Sequence, residues 1–336
     1  MQLHKPFYAL LLLSVSVLST MAQTPQQNMA TQEQTNPLLC DIESGLCEMP
    51  GESISSASTK VSITKDQLIK VVYFTDPICS SCWGIEPQLR KLKLEYGSYL
   101  EIEYRMGGLL PDWSYNSGGI SQPSDVAHHW DEVSLHYDMP IDGDIWLEDP
   151  LASSYPPSIA FKAAQAQSEQ KAVLFLRELR ELVFLQKKNI AKWEHMAAAA
   201  QKAGLDINQL KVDFEGEAKN WFQEDLKLAR QYGVRGFPTL FFEYDNKREM
   251  VYGSKAYAFY EMAILQLQPQ ITKNEYHKDW KTLFNKFSSL TAREFSELSG
   301  TPRSSAETIL NNLAEEGTLT KFNTKNGAIW MKVNKK

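Results

Sequence analysis

The stretch LIKVVYFTDPICSSCWGIEPQLRKLKLEY, residues 68–96, decides how this chain folds. Leu68 to Thr75 is a short apolar, β-branched run, which predicts a buried strand. Ile85, Leu89, Leu92 and Tyr96 then recur at intervals of four, three and four, the stripe of an amphipathic helix. Cys79 and Cys82 therefore fall at a strand-to-helix junction. Free backbone N–H groups and the positive end of the helix dipole favour a thiolate there, so Cys79 is expected to be the nucleophile with a lowered pKa. Cys82, one turn further in, is placed to resolve a mixed disulfide. Pro87 lies within the helical stretch and is expected to bend it.

Working outward, Leu100–Met106 reads as a second strand closed by Gly107-Gly108, and residues 111–160 as irregular. From Pro156 to about Tyr232 the pattern is helical. Pro238–Tyr244 predicts a strand, Asp245-Asn246 its turn and Arg248–Tyr252 the returning strand, followed by a helix over Tyr257–Gln268. Residues 271–286 read as a linker to a separate C-terminal unit, 287–336. In it Thr291 and Glu294 form a capping box for a helix to Ser299, and Arg303–Glu316 is a second helix. Leu319–Phe322 and Ala328–Val333 make a hairpin across Asn326-Gly327. This order predicts a small winged-helix domain. Its second helix carries Arg303 against Glu307, Glu315 and Glu316, which argues for protein contact or packing over nucleic acid.

The chain has 336 residues, 43% hydrophobic and 23% charged, and a net charge of −6. That balance excludes a disordered chain, a collagen and a multi-span membrane protein, and bulk charge offers nucleic acid no attraction. Residues 1–22 have Lys5, an apolar run from Phe7 to Leu18 and a small-residue site at Thr20-Met21-Ala22, the arrangement of a signal peptide cut before Gln23. The run is too short for a stable membrane span, which takes ~20 residues. The mature protein is then periplasmic or extracellular; if translation starts at Met29 instead, it is cytoplasmic. Residues 23–60 read as a polar tether around one cysteine pair, Cys40 and Cys47. That pair is either a small disulfide-closed loop or a shuttle exchanging with Cys79 and Cys82. Four cysteines could also make a zinc site, but the strand–helix junction and the long first spacing argue against it.

Asp76 and Glu86 are candidates for moving the proton of Cys82. Trp83, Trp113, Trp130 and Tyr115 could line a peptide groove or simply pack the core. His128 and His129, being adjacent, point roughly 100° apart on a helix and make no ligand pair with each other or with His136.

The strand, the CSSC motif, Pro87 and the downstream Phe237-Pro238-Thr239 resemble the thioredoxin fold, in which a cis-proline faces the active cysteines. The helical insertion, about 111–232 within a domain of 61–270, resembles its DsbA-like branch. DPICSSCWGIEP (76–87), GGL (107–109) and SSYPPSIAFKAA (153–164) resemble the FrnE-like dithiol–disulfide isomerases. LLCDIESGLCEMPG (38–51) and the C-terminal unit are closer to YjbH/SpxH-like proteins, adaptors that present a transcription regulator to a protease. The resemblance implies an α/β thioredoxin fold and a thiol–disulfide oxidoreductase or isomerase, with Cys79 and Cys82 catalytic. Phe237, Pro238 and Trp83 would bind the substrate, and no cofactor is needed. The partners would be proteins bearing cysteines or disulfides. The alternative it implies is an adaptor whose cysteines sense redox state and whose partner is a regulator. The position six residues before Cys79, acidic in many such oxidoreductases, is Tyr73, and Ser80-Ser81 between the cysteines supply no cation.

Overall fold

Strand β3 (Ile69–Thr75) sits at the centre of the main sheet with Val71, Val72, Tyr73 and Phe74 fully buried, in the computed structural model, which describes residues 40–41, 46–48, 68–114 and 121–333. The leader at residues 1–22 and Tyr115 lie outside the described residues. Complete burial of each of these side chains contributes roughly 1.5–3 kcal/mol, which explains why β3 reads as a continuous apolar run rather than an alternating one.

The chain leaves β3 through α1 (Ser80–Gly84) and α2 (Glu86–Tyr96) and returns as β4 (Leu100–Met106), parallel to β3. After the helical insertion come β6 (Thr239–Tyr244) and β7 (Lys247–Tyr252), then α10 (Tyr257–Leu267). Strand β6 pairs antiparallel with both β3 and β7, giving the order β4-β3-β6-β7. Pro87 does not bend one helix; α1 ends at Gly84, Ile85 caps α2, and Pro87 occupies the first turn of α2. A missing N–H is harmless there.

The insertion comprises α3 (Pro123–Tyr137), α4 (Ile145–Glu148), α5 (Tyr155–Gln167), α6 (Glu169–Leu185), α7 (Trp193–Lys202), α8 (Ile207–Glu215) and α9 (Ala218–Gln231). The irregular reading of 111–160 is therefore corrected. Val126, Trp130, Val133 and Tyr137 recur on one buried face of α3, and Asp125 accepts from the Gln122 N–H at 3.2 Å to start the helix. Trp130, Trp146 and Phe184 pack edge-on or tilted at 5.1 and 4.8 Å between ring centres.

Three short strands form a sheet of their own: β1 (Cys40–Asp41), β2 (Leu46–Glu48) and β5 (Gly236–Phe237), in the order β1-β2-β5. Part of the stretch read as a tether thus joins the fold. Beyond α10, the C-terminal unit consists of α11 (Trp280–Lys286), β8 (Ser289–Thr291), α12 (Ala292–Ser299), α13 (Arg303–Glu315), β9 (Leu319–Thr324) and β10 (Gly327–Lys332). Its strands order as β8-β10-β9, all antiparallel. It has its own core of Leu283, Phe284, Leu290, Phe295, Leu298, Leu310, Leu313 and Trp330. Two of these residues lie on α11, so the second half of the expected linker belongs to the unit.

The unit is not separate from the rest. Glu294 on α12 accepts two bonds from Arg177 on α6, at 2.7 and 3.1 Å, and pairs with Arg90 on α2 at 3.2 Å. Arg90 also donates to the Ser289 carbonyl at 2.7 Å, and Arg177 pairs with Glu181 at 2.7 Å. At the other end, Lys325 meets Asp131 and Asp144 at 2.6 and 2.7 Å, while Asn326 donates to the Ile141 carbonyl at 2.8 Å.

Candidate functional site

Cys79 is the N-cap of α1, and its Sγ accepts the Cys82 N–H at 3.1 Å. The expected helix-end geometry is present, but both cysteines are completely buried. Burial pushes the Cys79 thiol up, reinforced by its bond to Cys82 and by that group's charge, so the expected lowering does not occur in this closed arrangement. Burial also opposes ionisation of Cys82. There it is outweighed by the bond from Cys79, by the Arg180 charge, by Thr75 and by the Asp76 backbone, leaving Cys82 below the ordinary thiol value. In this closed arrangement the inner thiol is thus the more acidic of the two.

The cation beside them comes from α6. Arg180 is fully buried and donates to Glu86 at 2.5 Å, to the Thr75 hydroxyl at 2.6 Å and to the Asp76 carbonyl at 3.4 Å. Ser80 and Ser81 between the cysteines carry no cation; the one beside the pair comes from a helix distant in sequence. The signal was there: Arg180 stands four residues after Leu176 and three before Val183, inside the apolar stripe of α6. Thr75 in turn donates to the Tyr73 hydroxyl at 3.1 Å.

Asp76 ties the neighbouring loops together. Its Oδ1 accepts the Ile78 N–H at 3.0 Å, and its Oδ2 accepts the Leu109 N–H at 2.8 Å and the Ser154 hydroxyl at 2.9 Å. The three stretches 76–87, 107–109 and 153–164 therefore meet at one carboxylate. Burial raises Asp76 to about 6, against the lowering by those bonds and by Arg180. Glu86 is engaged by Arg180 and, at 3.9 Å, by Arg90.

The Phe237–Pro238 peptide is cis, the isomer the resemblance implies. The register Phe74↔Thr239 puts Pro238 at the end of the sheet from which the chain runs to Cys79. The Phe237 ring lies over Gly107 so closely that a Cβ there would stand 1.7 Å from Phe237 Cζ, so only glycine fits. The backbone of Phe237 forms an edge, and Cys47 is its antiparallel partner.

Trp83 is not in a groove. It is fully buried, donates to the Pro140 carbonyl at 3.0 Å, stacks on Phe184 and lies under Arg177. Trp130 is likewise core, and Trp113, partly buried, donates to the Leu151 carbonyl at 2.8 Å. His128 is exposed beside Glu132 whereas His129 is buried, and among the described residues no His, Cys, Asp or Glu side chains cluster as a metal site.

A parallel β-α-β unit, an antiparallel hairpin, Cys-x-x-Cys at the start of the first helix and Pro238 at the same end of the sheet define a thioredoxin-fold protein. Residues 73–266 match the family model described as thioredoxin. The ClpXP adapter protein SpxH of Halalkalibacterium halodurans is 38% identical over 222 residues, 65% of this chain and 70% of the relative. The ClpXP adapter protein SpxH of Bacillus subtilis is 26% identical over 268 residues, 78% of this chain and 88% of the relative. A candidate protein disulfide isomerase from Nitrosomonas europaea superposes with a TM-score of 0.52 at 20% identity, over 61% of this chain and all of that one, which speaks for the fold. The chain belongs to the thioredoxin family, together with the SpxH-like proteins.

Proposed function

We propose that this protein is an SpxH-like adaptor that binds a regulator protein and presents it to a protease, with Cys79 and Cys82 as a redox-sensing dithiol. One observation carries the reading: the dithiol keeps its exchange geometry yet is completely enclosed. An enzyme turning over many unfolded clients needs an open thiol, whereas an enclosed pair reacts only when a bound partner or a local opening uncovers it, which suits binding-coupled exchange better than repeated turnover. The kinship with ClpXP adapter proteins supports the same reading. The C-terminal unit has the element order of a winged helix, and we assign it to packing and partner contact, since its second helix carries one cation.

A second reading is a thiol–disulfide oxidoreductase or isomerase acting on protein cysteines. Cys79 at a helix start and the Phe237–Pro238 edge favour it. The fate of residues 1–22 separates the two. Removal before Gln23 places the protein outside the cytoplasm and supports the enzyme, whereas a start at Met29 supports the adaptor. N-terminal sequencing of the native protein decides that point. Affinity capture from the native host, with the dithiol reduced and then oxidised, tests the function. Stoichiometric capture of one regulator in only one redox state is the adaptor result; catalytic reduction or isomerisation of a scrambled disulfide protein is the enzyme result.

A further inference from the structure

The short sheet β1-β2-β5 joins the N-terminal cysteine pair to the edge that precedes Pro238. In β2, Cys47 pairs with Phe237 and Glu48 with Gly236, antiparallel, on the backbone edge that precedes Pro238. Strand β2 also lies alongside α1, the helix that Cys79 caps. Within the hairpin, Cys40 and Cys47 are directly opposed register partners. Such antiparallel pairs stand ~4.5–5.5 Å apart at Cα, inside the range a disulfide spans. The chain thus brings its four cysteines to one end of the fold, as two pairs, through a strand added to an otherwise open edge.

We propose that the β1–β2 hairpin is a built-in occupant of the partner-binding edge, and that Cys40 and Cys47 form a second dithiol exchanging disulfides with Cys79 and Cys82. The proposal deepens the reading above and rests on its premise that Cys79 and Cys82 can exchange. Starting from a Cys40–Cys47 disulfide, the Cys79 thiolate attacks the Cys47 sulfur. A Cys79–Cys47 bond forms, the Cys40–Cys47 bond breaks and Cys40 leaves as a thiolate. Cys82, as thiolate, then attacks the Cys79 sulfur and releases Cys47 as a thiolate. The hairpin pair has gained two electrons and Cys79–Cys82 has lost two. The two protons given up by Cys79 and Cys82 pass, through solvent, to Cys40 and Cys47. No outside oxidant enters, and the sequence runs equally in reverse. Because donor and acceptor share one chain, the effective concentration is on the order of mM, so exchange outruns dilute external thiols. A protein partner that pairs with Phe237 must displace the hairpin, which couples partner binding to the state of the second dithiol.

The test uses the full chain carrying Cys82→Ser, with Cys82→Ala as a second version, equilibrated in a glutathione redox buffer, quenched in acid and peptide-mapped. A Cys79–Cys47 disulfide within one chain, its yield independent of protein concentration, is the expected result. Cys79 capped by glutathione alone, with Cys40–Cys47 intact, would overturn the exchange while leaving Cys79 competent. Cys79 taking neither disulfide would overturn the proposal and its premise together. Occupancy of the edge is read separately with Cys47→Pro, which removes a backbone donor from β2. Iodoacetamide should then label Cys79 about tenfold faster than in Cys47→Ser, as expected when a local opening is eased by one RT ln 10; equal rates would rule out the hairpin as a cover.

Discussion

Arg177 and Arg180 stand three residues apart on α6, and both are buried, yet they do different work. Arg177 is saturated with carboxylates: Glu294 bidentate and Glu181 beside it. Arg180 has one carboxylate, Glu86; its remaining partners are a hydroxyl and a carbonyl, and its Nε has no hydrogen-bond partner. A fully neutralised cation fastens two parts of a protein together. One left short of carboxylates still projects its charge, and here the groups that feel it are Cys82 and Cys79. The same residue type, one helical turn apart, is a fastening in one place and a tuning element in the other.

The largest effect expected from breaking this contrast is at Glu294. Glu294→Ala strands Arg177 and Arg90 in the interior and should cost about 3–5 kcal/mol, read from urea midpoints. Glu294→Gln, keeping the shape, should recover part of that loss.

The two regions should also titrate in opposite senses. Asp76 rises from 3.8 to about 6 on folding, so the native state holds its proton more tightly than the unfolded state does. Stability from this group is greatest below pH 3.8 and declines as pH rises to about 6, by up to roughly 3 kcal/mol. Burial alone would raise Glu294, but Arg177 and Arg90 hold it below its ordinary value. Its contribution is therefore present above about 4.5 and is lost as pH falls through its folded value. Asp76→Asn should flatten the upper limb of the stability–pH curve without touching the acid limb; a variant curve parallel to the wild type would refute the assignment.

A smaller effect is expected at Arg180. Arg180→Met removes the cation facing the thiols, so the pH midpoint for alkylating the reduced pair should move up by about one unit, about 1.4 kcal/mol. The equivalent Arg177→Met should leave that midpoint in place while lowering stability. At the surface end of the contact between the two units, Lys325→Ala should cost under about 1 kcal/mol, because its pairs with Asp131 and Asp144 are solvent-screened.

The central strands were legible because their apolar runs are local and continuous: β4 spans the residues the pattern indicates, and β3 differs by one. The Thr291–Glu294 capping box was legible for the same reason, since all its partners lie within one turn. What escaped was long-range. Arg180 reaches the cysteines only once α6 packs behind β3 and α2. The β2–β5 ladder is written in backbone groups, which every residue carries, so no side-chain pattern announces it. Helix α3 was missed for another reason: Pro, Gly and Asp around it outweighed the Val126–Tyr137 period that does announce it.

The ties of α12 to α2 and α6 bear on the order in which this protein is made. Synthesis runs from the N-terminus, and domains generally fold as they emerge. Here the thioredoxin portion cannot be electrically complete on emergence, because Arg90 and Arg177 find Glu294 only after nearly 300 residues have been joined. Until then each guanidinium has only its nearby carboxylate, Glu181 for Arg177 and Glu86 for Arg90, and the Arg177 that covers Trp83 lacks its tie to α12. A ribosome-stalled fragment ending before α12 should therefore hold the Trp83 side of the fold less firmly, and alkylation of Cys79 and Cys82 in it is expected to run faster than in the complete protein.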